Sequence, residues 1–221
     1  MIRSVRLYSA SASSQNNLIT KIGEVNRRLP DISSQTKDFL LNAVAQVRIY
    51  DKAYAGIMHA LLFWGVTVQL IGTAINLMQM VLFIPLIVLT FPRDGFYLAY
   101  ELVMDLAGVA ILLGVLMAVF RRLVLRPKAL ETNWDDLYAL IMLFLIPIAG
   151  YSLEATRLLA AAPEWSQWSP IGNMVGGWFS SWGLTADGAA SLHDLLFWIH
   201  AALALLLVAS IPSTKLRHLI N

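Results

Sequence analysis

Ser191–Asn221 reads SLHDLLFWIHAALALLLVASIPSTKLRHLIN. Its run from Leu192 to Ile211 is almost wholly apolar and about the twenty residues a helix needs to cross a bilayer. Three of the chain's four histidines stand in this stretch: His193, His200 and His218. Their spacings are 7 and 18 residues. At about 100° per residue both are close to whole numbers of turns, so the three imidazoles fall on nearly one helix face. Pro212 has no N–H and predicts a bend before His218. Ionisable groups on a membrane helix mark a functional site by default. The chemistry that most often uses several imidazoles there is axial ligation of haem iron. The plain alternative is that each histidine is a satisfied core residue. The fourth, His59, also sits just inside an apolar run, and the polar first fifty residues hold none, which favours ligation.

Composition bounds the class. Of 221 residues, 58% are hydrophobic and only 14% charged, where soluble domains carry about 25%. The mean hydropathy is +0.65. The expected fold is all-α, a polytopic membrane protein built as a four-transmembrane-helix bundle with an N-terminal amphipathic cytoplasmic arm. Short alternating strands, the barrel pattern, are absent from the sequence. With no cysteine the chain holds no thiolate-ligated iron–sulfur cluster, structural zinc or disulfide. The net charge of +2 is small, so its distribution matters more than its size.

Residues 1–52 are polar and basic and form the arm; residues 53–221 form the membrane domain. The opening MIRSVRLYSASASSQNN has no apolar core of a secretory signal, and a transit peptide stands as the alternative to a solvated arm. Two amphipathic helices are predicted in the arm, about Asn17 to Arg28 and Gln35 to Lys52, separated by Leu29-Pro30. Their basic residues suit an anionic membrane surface, with a packing or partner-binding arm as the alternative. The first span starts near Tyr54 and carries His59 and Gln69. The apolar run continues to Phe91, but Pro85 and the turn FPRDG assign this part to a kinked or interfacial continuation. The second span, about Tyr97 to Phe120, carries Glu101 and Asp105 four residues apart and so on one face. It stops at Arg121-Arg122. The third runs about Asp136 to Leu158, with Glu154 and Arg157 near its end. A tryptophan-rich loop with short interfacial helices leads to the fourth span. Apart from Arg93 and Arg157, every lysine and arginine lies in the arm, the 121–128 loop or the C-terminus. The positive-inside rule then puts both termini and that loop in the cytoplasm.

This topology brings His59 and His218 to similar depth at the cytoplasmic side, so one haem can sit between them. His200 is about 27 Å from His218 along a straight helix and belongs to the outer half. Gln69 is about 15 Å deeper than His59. His193, at the outer interface, is about 10 Å from His200 and cannot share its iron.

Three stretches carry a family resemblance: GIMHALLFWGVTVQLIGTAI, GFYLAYELVMDLAGVAILLGVLMAVFRRLVLRPKAL and LHDLLFWIHAALALLLVASIPSTKLRH. Over roughly residues 50–221 the chain resembles the gamma subunit of respiratory nitrate reductase, a membrane cytochrome b. It is similar, more closely, to the membrane domain of heterodisulfide-reductase-like iron–sulfur oxidoreductases, including those that pass electrons from electron-transfer flavoprotein to menaquinone. In the nitrate reductase family four histidines, two per helix, hold two b haems. The resemblance carries the inner pair onto His59 and His218. It carries one position of the outer pair onto His200 and the other onto Gln69, a poor ligand for haem iron. His193 has no counterpart and is a substitute ligand or a quinone group. The family's first span has no match here. In the iron–sulfur oxidoreductases a cysteine-rich domain follows the final helix, so a further domain or a separate subunit is expected to supply it.

The resulting expectation is a b-type cytochrome of a prokaryotic cytoplasmic membrane. It moves electrons between a quinone, menaquinone or another, and an iron–sulfur subunit or domain, with electron-transfer flavoprotein as a further candidate partner and no nucleic acid. One haem b is expected at His59 and His218, and a second is a candidate at His200. Arg121 and Arg122 are candidates for the haem propionates, beside the reading that they only set topology. His193, Asp194, Glu101, Asp105 and Gln69 are the quinone and proton candidates; for Glu101 and Asp105 a helix-start charge pair is the alternative. The rival function is a cofactor-free membrane anchor or small channel subunit.

Overall fold

A computed structural model describes residues 53–79, 81, 95–126 and 133–211. Helix α1 is Ala53–Met78 and α2 is Gly95–Phe120, continued by a π-helical turn at Arg121–Leu125. Helix α3 is Trp134–Ala161, followed by a 3-10 turn at Ser166–Trp168. Helix α4 is Pro170–Ser181 and α5 is Ala186–Ser210. No strand occurs among the described residues. Four helices, α1, α2 with its π turn, α3 and α5, are 25 to 31 residues long and apolar enough to cross a membrane. At about 1.5 Å per residue even the shortest exceeds a hydrocarbon core of about 30 Å. The chain is an all-α bundle with four candidate spans, as composition and hydropathy require. Helices are the form in which an apolar segment satisfies every backbone group without water.

The helix ends extend the expected spans. The last helix starts at Ala186, six residues before the apolar run, because Thr185 caps it by accepting the Gly188 N–H at 3.2 Å. Helix α3 passes through Pro147 unbroken, as membrane helices tolerate when neighbouring groups re-satisfy the backbone. The tryptophan-rich loop contains α4 and the 3-10 turn. The predicted arm helices, the continuation over residues 82–91, the Pro212 bend and His218 lie outside the described residues.

Helices α2 and α3 form the centre. Ala107, Ile111, Val115 and Ala118 of α2 are buried, with Met142, Tyr151, Ala155 and Leu158 of α3. Helix α1 lies along α2 at close range: a Cβ on Gly65 would stand 2.7 Å from Ile111 Cγ1 and 3.0 Å from the Ala107 carbonyl. In lipid, where apolar burial gives no drive, such close backbone approach through small residues is what holds helices together. Tyr54 Oη donates to the Met117 carbonyl at 2.8 Å and ties the start of α1 to the end of α2. Helices α5 and α4 both pack against α3. Among the described residues α1 and α5 share no extended packing with each other, and both keep large apolar side chains uncovered, including Trp64, Leu70, Trp198 and Leu205.

Candidate functional site

The imidazoles come first. His193 and His200 both meet α3, as their seven-residue spacing implies. His200 Nδ1 lies 3.2 Å from the Ile146 carbonyl oxygen. His193 Nδ1 lies 3.1 Å from the Leu153 carbonyl and 3.2 Å from Thr156 Oγ1. The two carbonyls are also seven residues apart and run in the opposite sense, so α3 and α5 keep an antiparallel register over two turns. Bare Gly150 leaves room for the ring of His200, whose Cε1 would be 3.2 Å from a Cβ there. An imidazole that donates from Nδ1 to a backbone carbonyl keeps its lone pair on Nε2, the arrangement used by metal-ligating histidines. His59 of α1 is half-buried, with its ring nearly parallel to Phe63 at 6.2 Å, and Phe63 meets Trp64 edge-on at 5.4 Å.

Depth follows from pairings along the central helices. Leu62 reaches Gly114 and Gly65 reaches Ile111, so His59 stands level with about Met117 of α2. Arg122 pairs with Asp136 and Glu101 with Arg157, which puts Ile146, and therefore His200, level with about Leu112. His200 thus stands on the Arg121 side of the middle of α2, about 7 Å from the level of His59, and not in the outer half expected from its 18-residue distance to His218. Gln69 Nε2 donates to the Met104 carbonyl at 2.9 Å, so its amide is engaged with α2 on the other side of that level.

At the Arg121 end, Arg122 Nη2 pairs with Asp136 Oδ2 at 3.1 Å. Its Nη1 is buried and has no hydrogen-bond partner among the described residues. Arg121 is half-buried beside it.

The opposite end of the bundle holds a polar cluster. Arg157 of α3 grips Glu101 of α2 with two bonds, Nη1 to Oε1 at 3.2 Å and Nη2 to Oε2 at 2.8 Å. The same guanidinium reaches Tyr97 Oη at 3.2 Å and Glu154 Oε1 at 3.3 Å, and lies 5.1 Å from the centre of the Trp165 ring. Ser169 Oγ donates to Glu101 Oε2 at 3.1 Å. Asp105, only 1% exposed, accepts the N–H groups of Ile171 at 2.8 Å and Gly172 at 3.1 Å. Every donor of the first turn of α4 is thereby accounted for. Pro170 has none, Ile171 and Gly172 use Asp105, and Asn173 bonds the Ser169 carbonyl at 2.8 Å. Glu101 and Asp105 share a face of α2, but each is bonded to α3 or α4 and not to the other. Tyr151 Oη donates to the Asp105 carbonyl. Asp194, by contrast, is exposed on α5.

The sequence reading missed Ser169 and Trp165, and it grouped Glu154 and Arg157 with Glu101 and Asp105 only under the rival function, as charges that line a polar pathway or pair with each other. The available signal was charge balance: Arg157 is the one lysine or arginine within the four predicted spans, so acids at its end of the bundle are its expected partners. Among the described residues no group of three or more histidines and acids is arranged to hold a bare metal ion. A haem asks less, since its ring supplies four donors and the protein two.

The sequence pattern of the nitrate reductase gamma subunit family matches residues 46–221. The chain is also similar to an EtfAB:quinone oxidoreductase of Syntrophomonas wolfei subsp. wolfei, with 31% identity over 208 residues. That alignment covers 89% of this chain and 28% of the relative, so the chain spans just over a quarter of the relative's length. No solved structure matches it.

Proposed function

Because the chain belongs to the nitrate reductase gamma subunit family, we propose that it is a membrane electron-transfer module working between a quinone and an iron–sulfur partner. The name of the relative joins EtfAB to a quinone, which supports menaquinone or a similar quinone as substrate and electron-transfer flavoprotein as a candidate partner. The chain has no cysteine, so iron–sulfur chemistry must come from another domain or subunit. The membrane is the cytoplasmic membrane of a prokaryote, with the Arg121–Arg122 end inside.

The residues fit a b-type haem on two counts. His200 commits Nδ1 to the Ile146 carbonyl and keeps Nε2 for iron. Arg122 holds a buried Nη1, without a partner among the described residues, at the end of the bundle nearest His59, where a propionate would satisfy it. His59 and His218 would hold one haem; His200 would hold a second, with Gln69 a poor opposite ligand, while His193, about 10 Å from His200 along the helix, would not share its iron. A bound haem supplies a one-electron centre inside the low-dielectric bundle. The protein's part is to present the imidazoles, aim them through backbone carbonyls and keep water from them. At the opposite end His193 and Asp194, with the cluster of Glu101 and Asp105, serve the quinone side, where protons must be exchanged.

The observation that carries this reading is the aimed imidazole of His200 within a family-matched bundle. Purified protein reduced with dithionite should show a b-type α band. Replacing His59 or His218 by alanine should remove one bis-histidine signal, and His193→Ala should spare it. A well-folded protein with no α band would leave the cofactor-free anchor or channel subunit as the function.

A further inference from the structure

The cluster around Arg157 contains three carboxylates and one cation, and their bonding is unequal. Each oxygen of Asp105 accepts a backbone N–H at the positive end of α4. Both oxygens of Glu101 accept from Arg157, and Ser169 adds a third bond. Glu154 has a long bond of 3.3 Å from an Nη2 that already serves Glu101, and its other partner, the Ser169 hydroxyl, is likewise shared with Glu101. Its Oε2 lies against the first turn of α4, where a Cβ on Gly172 would stand 3.0 Å from it. Its side chain is 19% exposed, against 7% for that of Glu101. The cation and the helix terminus thus compensate two carboxylates more fully than the third, which is also the more exposed of the two glutamates.

We propose that Glu154 is the carboxyl through which the bundle exchanges protons with a quinone couple at the α4 end. The proposal rests on the quinone reading given above. A buried charge without full compensation is costly, and a carboxylate removes that cost by taking a proton. The groups around it are Glu101, Asp105 and Tyr97 from α2, Arg157 from its own helix, and Ser169 and Gly172 at the start of α4. His193 meets α3 at Leu153, the residue beside Glu154, on the neighbouring face. Oxidation of one quinol releases two electrons and two protons. The electrons leave along the electron-transfer path, and each proton passes in turn to the Glu154 carboxylate and then to water. Quinone reduction runs the same transfers backwards. Glu101 and Asp105 are positioning residues in this scheme, holding Arg157 and α4 around Glu154.

The test uses the purified holoprotein and dicyclohexylcarbodiimide, which adds to protonated carboxyls in apolar surroundings. Peptide mass spectrometry should find the adduct on Glu154 and not on Glu101 or Asp105. An adduct on either of those with Glu154 unmodified overturns the proposal. In parallel, Glu154→Gln should slow haem reduction by menadiol by roughly a hundredfold. Glu154→Asp should recover much of that rate, and the visible spectrum should stay as in the wild type. A wild-type rate in Glu154→Gln overturns the proposal as well. If the unmodified protein takes no electrons from menadiol, it is the quinone reading that fails, and the labelling pattern still decides whether Glu154 holds the proton.

Discussion

Replacing Asp105 by alanine should loosen α4 while leaving the four spans intact. The change removes both acceptors for the Ile171 and Gly172 N–H groups and leaves two donors in the first turn of α4 without their partners. Losing a cap costs about 0.5–2 kcal/mol. Hydrogen bonds to a charged group are worth about 1.5–3 kcal/mol each, a gross loss of about 3–6 kcal/mol for two. Against this, alanine no longer buries a carboxylate, a saving of several kcal/mol. The net local cost should therefore fall near the top of the cap range, about 2 kcal/mol, which is roughly a thirtyfold change in an opening equilibrium. Hydrogen exchange read by mass spectrometry in detergent or nanodiscs measures it. Peptides covering Pro170–Ser181 should exchange about thirtyfold faster, and peptides from the middle of α2 and α3 should not change. Asp105→Asn, which keeps one acceptor, should fall between. Wild-type protection of α4 in Asp105→Ala would show that the helix is held by something other than this carboxylate.

Three further outcomes follow from the packing and charges. Gly65→Ala should destabilise the bundle by about 1–3 kcal/mol, because the new methyl meets the Ala107 carbonyl and the Ile111 backbone as well as a side chain; an unfolding titration in mixed micelles reads it, and an unchanged midpoint counts against the α1–α2 contact. Arg157→Met should cost about 3–5 kcal/mol by stranding buried Glu101, and adding Glu101→Gln should recover most of that loss; a double variant no better than the single one would mean that the pair is not what Arg157 satisfies. Reporter fusions at Ile2 and Asn221 should both read cytoplasmic and one at Ser166 should read outside, since an even number of spans returns the chain to its starting side.

The number and type of the spans were legible because hydropathy is a sum over neighbours: any twenty residues as apolar as Leu192–Ile211 prefer lipid whatever the rest of the chain does. The seven-residue step from His193 to His200 was legible for the same local reason, and both rings do meet one helix, α3. Which helix they would meet was not written in that step. Nor was the choice made by Glu101 and Asp105, which the four-residue spacing put on one face and the fold sent to Arg157 and to the start of α4. In water an amphipathic stripe shows which side of a helix turns inward. In lipid the outer side is apolar too, so periodicity leaves the rotation of each helix open, and partners are selected by close approach and by the need of buried polar groups for one another. A carboxylate that caps a helix 65 residues further along the chain is therefore a property of the packed bundle, where Asp105 and Pro170 meet, and of no shorter segment of the sequence.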